Sequence, residues 1–167
     1  MKTIVVCDDV EIERLLLKEI LCQYFEEINE EVSIVEYDSG ETLIADVEEG
    51  YVAMDLLFLD ICMKKLNGME TARKLRQIQC KVPIIFLTAS PDYAIESYEV
   101  QASGYLLKSF SEEKLMKLLN RILNGYEKAC CNQKQKNSTV IHVQMISCIL
   151  TAINIMSPCI CQMVPKL

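Results

Sequence analysis

The 167 residues are 51% hydrophobic and 25% charged, enough for one ordinary domain with a real core and part of a second. That composition excludes a collagenous chain, a disordered tail protein and a small disulfide scaffold. The net charge of -7 is uneven: Met1 to Gly125 carries 13 Lys/Arg against 23 Asp/Glu, and Tyr126 to Leu167 carries 4 against one. The acidic first part argues against nucleic-acid binding there, because phosphates would meet a negative field.

Short aliphatic runs alternate with stretches of helical period. In chain order the strands are Thr3–Cys7, Val32–Tyr37, Leu56–Leu59, Pro83–Leu87 and Gly104–Leu107. Several are apolar throughout, the mark of strands buried on both faces of a parallel sheet. The intervening helices are Glu11–Ile28, Glu41–Glu49, Met69–Gln79, Tyr93–Val100 and Glu112–Leu123. In the first, Ile12, Leu16, Ile20, Tyr24 and Ile28 recur at spacing four and predict an apolar stripe. Ser39, Pro91 and Ser111 stand at expected helix starts, and Gly50 and Gly125 at expected ends. Five consecutive βα units predict a doubly wound α/β domain over residues 1–125 with right-handed crossovers.

The nine cysteines are odd in number and irregular in spacing, and the chain enters a strand directly after Met-Lys-Thr. Reduced thiols and a cytoplasmic location are the expectation. Most of the cysteines read as small apolar filler. Cys130-Cys131 and Cys159-x-Cys161 have no paired CxxC spacing and only His142 as a histidine, which disfavours zinc.

Ligands of such sheets sit beyond the carboxyl ends of the strands. Asp8 and Asp9 follow the first strand, Asp60 ends the third, Thr88 follows the fourth and Lys108 the fifth. Three clustered carboxylates repel unless a cation joins them, and their hard oxygens suit Mg²⁺. With a lysine and a hydroxyl added, the rim describes a site that holds a phosphoryl group on a carboxylate. Each residue alone has a structural reading. Asp9 could cap a helix, Asp60 form an Asx turn, Thr88 or Ser90 cap the next helix, and Lys108 snorkel from the sheet edge. Their joint placement at successive strand ends favours the site.

The segments VVCDDVEIERLLL, LLFLDICMKKLNGME, PIIFLTAS and GYLLKSF resemble the receiver domain of bacterial two-component response regulators. YAIESYEVQASGYLLKSF is most similar to receivers of the LytTR type, which carry a DNA-binding output domain. The resemblance covers Met1 to about Gly125. It implies a flavodoxin-like fold with a five-stranded parallel sheet of order 2-1-3-4-5 and helices on both faces. It implies Asp60 as phosphoacceptor, Asp8 and Asp9 as the acidic pair for Mg²⁺, and the backbone carbonyl of Cys62 as a further metal ligand. Thr88 becomes the switch hydroxyl, Lys108 the phosphate-pairing lysine and Tyr105 the aromatic that changes rotamer; Cys62 and Ser90 match positions that tune phosphoryl lifetime. The implied donor is a sensor histidine kinase. The activated surface around the fourth helix and fifth strand would be read by a partner, or by a second copy in a homodimer through the helix 4–strand 5–helix 5 face.

Two departures stand out. Ser109 replaces the proline that usually follows the lysine, so the Lys108–Ser109 peptide is expected to be trans, since cis costs ~2.5–4 kcal/mol before a non-proline residue. Lys64 replaces a proline common four residues past the phosphoacceptor and adds charge near the site. Ser109 leaves an alternative open, a receiver-fold interaction module acting without phosphorylation. A flavodoxin is disfavoured because Asp8-Asp9 would repel a cofactor phosphate, and a haloacid-dehalogenase-type phosphatase because its DxD spacing is absent.

Residues 126–139 read as a linker, polar from Glu127 to Thr139, and residues 140–167 as a truncated or atypical output region, with Val140–Val143 as a candidate first strand. No charged residue occurs from Asn137 to Pro165. Gln144, Ser147, Thr151 and Asn154 would form a narrow polar stripe on a helix, and Pro158 and Pro165 interrupt any long element. A docking helix and a membrane anchor are the competing readings. DNA contact is expected only through an output domain, which the chain is expected to lack.

Overall fold

A computed structural model describes residues 1–132, with side chains to residue 124. The five strands are β1 (Lys2–Cys7), β2 (Val32–Tyr37), β3 (Leu56–Leu59), β4 (Ile84–Thr88) and β5 (Gly104–Leu107). All pair in parallel in the order β2-β1-β3-β4-β5. The helices are α1 (Glu11–Glu27), α2 (Gly40–Glu48), α3 (Gly68–Gln77) and α4 (Glu112–Asn132).

The pleat sends successive side chains to opposite faces, so each apolar strand serves two cores. Val5, Cys7, Leu57, Leu59, Ile84 and Phe86 pack with α2 and α3. Ile4, Val6, Leu56, Phe58, Ile85 and Leu87 pack with α1 and α4. The Tyr24 hydroxyl donates to Asn120 Oδ1 (2.8 Å) and ties those two helices together. Ser39 caps α2 by accepting from the Thr42 N–H, and Gly50 follows with φ 75°.

Three details differ from the sequence reading. The spacing-four row on α1 is not the buried stripe. Ile12, Leu16 and Ile28 are 59%, 51% and 41% exposed, while Leu17, Leu21, Tyr24 and Phe25 are buried. A strict row at four residues advances about 40° beyond each turn of a 3.6-residue helix and winds off the sheet. The second difference is Tyr93–Val100, which forms no α-helix: turns lead into a 3₁₀ turn at Glu96–Tyr98. Pro91 consequently starts a turn, its carbonyl accepting from the Ala94 N–H. Ser97 Oγ takes the Ala94 carbonyl, and the Arg76 guanidinium on α3 takes those of Val100 and Cys80. A segment this short does not nucleate a helix unaided, and side chains competing for its carbonyls tip it into turns. Finally, α4 runs through Gly125 to Asn132, so the expected linker begins as helix. The remaining readings of the tail, from residue 133 onward, lie outside the described residues.

Among the described residues no helix is long and apolar enough to cross a membrane. Cys7, Cys22, Cys62 and Cys80 are free thiols; Cys7 and Cys80 join the apolar core, whereas Cys62 is exposed.

The loop after β3 is closed by a tight approach. The Gly68 N–H donates to the Ile61 carbonyl (3.1 Å), and a Cβ on Gly68 would lie 2.1 Å from the Asp60 carbonyl oxygen. Gly68→Ala is therefore expected to lose about 1–3 kcal/mol of stability, the usual cost of overpacking, measured by urea unfolding. An unchanged midpoint would contradict this close contact.

Candidate functional site

Strand register brings the scattered residues together. Cys7 stands opposite Leu59, and Leu59 opposite Phe86. The Asp60 N–H donates to the Cys7 carbonyl (2.9 Å), and the Lys108 N–H to the Thr88 carbonyl (2.9 Å). One carboxylate oxygen each from Asp8, Asp9 and Asp60 lies within 4.8 Å of the others. Asp8 and Asp60 are buried and Asp9 is half-buried.

Lys108 balances part of this charge. Its ammonium lies 2.8 Å from Asp8 Oδ2 and 3.6 Å from Asp60 Oδ1. The described residues contain no cis peptide, so the lysine reaches the carboxylates across a trans bond to Ser109. Its ion pairs with Asp8 and Asp60 replace the reading of a lysine snorkelling from the sheet edge.

The cap readings of Asp9 and of Thr88 or Ser90 do not hold, since Val10 caps α1 and no α-helix follows β4 before β5. Asp8 Oδ1 accepts from the Val10 N–H (2.9 Å), and Val10, not Asp9, is the N-cap of α1. Asp9 Oδ2 instead accepts from the Lys64 N–H (3.3 Å). Thr88 is fully buried; its Oγ1 accepts from the Ser90 N–H (3.3 Å) and lies 3.4 Å from Cys62 Sγ. Ser90 Oγ donates to Asp92 Oδ2 (2.8 Å). The Tyr105 hydroxyl donates to the Ser90 carbonyl, and its ring packs 6.3 Å from that of Phe86. The site therefore joins Asp8, Asp9, Asp60 and Lys108 directly, with Thr88, Cys62, Ser90 and Tyr105 forming a connected row beside it.

Two contributors escaped the sequence reading. Arg14 Nη1 donates to the Asp8 carbonyl (2.7 Å) while Nε pairs with Glu36 (3.6 Å), steadying the turn that carries the acidic pair. Its position six residues past Asp8 carried no signal, because the angle between that turn and α1 decides the contact. Gly68, which presses on the Asp60 backbone, had only the Asn-Gly pair to mark it.

Burial pushes the Asp60 carboxyl pKa above the ordinary aspartate value, and the Asp8 charge adds to this; the Lys108 charge and the Cys62 and Ile61 N–H groups oppose it. For Lys108, burial works against the ammonium, yet the Asp8 hydrogen bond and the Asp60 and Asp8 charges carry its pKa above the ordinary lysine value. Burial also raises the Tyr105 phenol. Asp60 Oδ1 makes no hydrogen bond despite being buried, and such an atom normally finds a partner. A cavity of about 230 Å³ adjoins it, lined by Asp8, Asp60 and Lys108 together with Leu16, Leu17, Ile20 and Phe110.

Residues 4–120 match the response regulator receiver domain. The chain belongs to the response-regulator receiver family. This receiver is 36% identical over 109 residues to the sensory transduction protein LytT of Oceanobacillus iheyensis, covering 64% of this chain and 44% of that protein. To the LytT of Bacillus subtilis it is 30% identical over 121 residues, 72% of this chain and 48% of the relative. These matches span less than half of either relative, and the names agree with the LytTR-type likeness of the receiver sequence. Among solved structures, a response regulator TrrA from Thermotoga maritima in complex with Mg²⁺ and BeF is 30% identical with TM-score 0.62, covering 73% of this chain and 99% of that one. The response regulatory domain of mrkE from Klebsiella pneumoniae, at 24% identity, shares the receiver fold with TM-score 0.67, covering 75% and 98%.

The raised Asp60 pKa has a consequence for stability. The folded chain holds that proton more tightly than the unfolded chain, so its contribution is present at low pH. It is lost as pH climbs from the ordinary aspartate value of 3.8 through the raised folded one. Asp60→Asn is expected to be more stable than the parent at neutral pH without divalent cations, with the gain shrinking as pH falls through that window. Thermal unfolding across pH checks this; a gain independent of pH would contradict it.

Proposed function

We propose that the chain accepts a phosphoryl group on Asp60 and thereby switches the row Thr88–Ser90–Tyr105. The carrying observation is the buried Asp60 oxygen that makes no hydrogen bond, inside a cluster that also holds Asp8, Asp9 and Lys108. The donor set fits a hard divalent cation, since three carboxylates with oxygens this close repel and oxygen ligands suit Mg²⁺. Asp8, Asp9 and Asp60, with the Cys62 carbonyl, are the residues that would hold it. When bound, Mg²⁺ would offset negative charge on the transferring phosphoryl oxygens.

The geometry supports the following side-chain chemistry. A carboxylate oxygen of Asp60 attacks phosphorus, the P–N bond to a sensor kinase phosphohistidine breaks, and the imidazole leaves with its bonding pair. Burial raises the basicity of Asp60 and so strengthens it as a nucleophile. Lys108, already 3.6 Å from Asp60, needs little movement to pair with the new phosphoryl oxygens.

Thr88 Oγ1 is the hydroxyl that would turn toward the phosphoryl group. It contacts Cys62 and the Ser90 N–H, and Ser90 in turn holds Tyr105 through its carbonyl. Movement of Thr88 therefore loosens the anchor of Tyr105 and shifts a pre-existing equilibrium of the segment between β4 and β5. A transcriptional output rests on the LytTR-type likeness of the receiver sequence alone.

Incubation with acetyl phosphate and Mg²⁺ is expected to add one phosphoryl group per chain, read by intact mass, and Asp60→Asn to add none. Full labelling of that variant would overturn the assignment. Thr88→Ala is expected to accept the group while losing the accompanying change in tyrosine fluorescence; an unchanged fluorescence response would contradict the proposed switch row.

A further inference from the structure

Lys64 lies in the loop between β3 and α3, four residues past Asp60. It makes two contacts with one atom: its backbone N–H donates to Asp9 Oδ2 (3.3 Å), and its ammonium lies 3.9 Å from the same oxygen. The two side chains differ sharply in surroundings, Lys64 being 88% exposed and Asp9 15%. Lys108 serves the other two carboxylates, Asp8 and Asp60. The cluster is thus divided between two internal cations, one half-buried and paired with two carboxylates, the other at the end of a flexible stem in water.

Resting on the reading that Asp8, Asp9 and Asp60 hold a divalent cation, we propose that Lys64 is a tethered competitor for that cation at Asp9. A metal ligated by Asp9 needs the lone pairs that face the cluster and brings a double positive charge within a few ångströms of the ammonium. The two cations repel, so Lys64 must swing into solvent as metal enters. Its backbone N–H keeps Asp9 Oδ2 occupied without regard to the side chain, so the ammonium alone is the removable obstacle. An exposed lysine gives way at small cost, so the effect on affinity is modest, about two- to fivefold. Its mechanism is electrostatic and therefore salt-dependent, since the screening length falls from about 8 Å at 0.15 M ionic strength to about 3 Å at 1 M. Through Lys64, half-occupancy of the acidic cluster would need a free cation concentration about two- to fivefold higher than with an uncontested Asp9.

The test is Mn²⁺ binding to the full chain, read by the electron paramagnetic resonance of the free ion at low and high salt. Lys64→Met is expected to tighten the dissociation constant about two- to fivefold at low salt and to converge on the parent at high salt. Lys64→Arg, which keeps the charge, is expected to stay near the parent. A Lys64→Met affinity equal to or weaker than the parent, with binding still abolished by Asp9→Asn, overturns the role of Lys64 alone. Parent binding that Asp9→Asn and Asp60→Asn both leave intact overturns the metal reading of the cluster and this inference with it.

Discussion

Parallel adjacency of β1 and β3 forces like charges together, and much of the local structure responds to that constraint. Register leaves Asp8 and Asp60 side by side as the chains leave the sheet. Neither can retreat to water, because both are buried. Lys108 relieves the strain by reaching Asp8 at 2.8 Å, but it leaves one oxygen of Asp60 without a hydrogen-bond partner. A buried carboxylate in that state costs stability that an apolar side chain would not. Its persistence is understandable if the charge is retained for chemistry, as strained or unsatisfied groups tend to be at functional sites.

The proposed switch row would carry a change at Asp60 to the surface. Thr88 ends the neighbouring strand and touches Cys62 in the loop that follows Asp60. From Thr88 the contacts run to Ser90 and on to Tyr105. The segment between them is built of turns and a short 3₁₀ element in place of a continuous helix. Its far end is held from α3, where Arg73 pairs with Glu96 and Glu99 and Arg76 bonds the Val100 carbonyl. A segment fixed at one end and coupled to the site at the other is suited to a two-state response.

The sheet was legible because its strands are short, apolar and bounded by polar turns: Leu56–Leu59 and Gly104–Leu107 appear in the fold with the expected bounds. The rim residues were legible because the carboxyl end of a parallel strand is a fixed address, and Asp8, Asp60, Thr88 and Lys108 each occupy one. What depends on tertiary contacts was not. The buried face of α1 passes through Leu17, Leu21 and Phe25, and apolar Leu16 beside them is half exposed, a choice made by the angle of the helix on the sheet. Tyr93–Val100 has helical composition, yet Arg76 and Ser97 claim its carbonyls. The contact made by Arg14 across a turn has no one-dimensional trace, and that of Gly68 beneath Asp60 has only the Asn67-Gly68 pair.

The central claim is that occupation of the acidic rim and the conformation of the β4–β5 segment are one equilibrium. Amide and side-chain NMR of the full chain, with beryllofluoride and Mg²⁺ added to mimic the phosphoryl group, tests it most directly. Saturable shifts are expected at Asp60, Thr88 and Lys108 and, in the same titration, at Ser90 and Tyr105, all with one midpoint. Shifts confined to Asp60 and Lys108, with Ser90 and Tyr105 unmoved at saturation, would contradict the coupling.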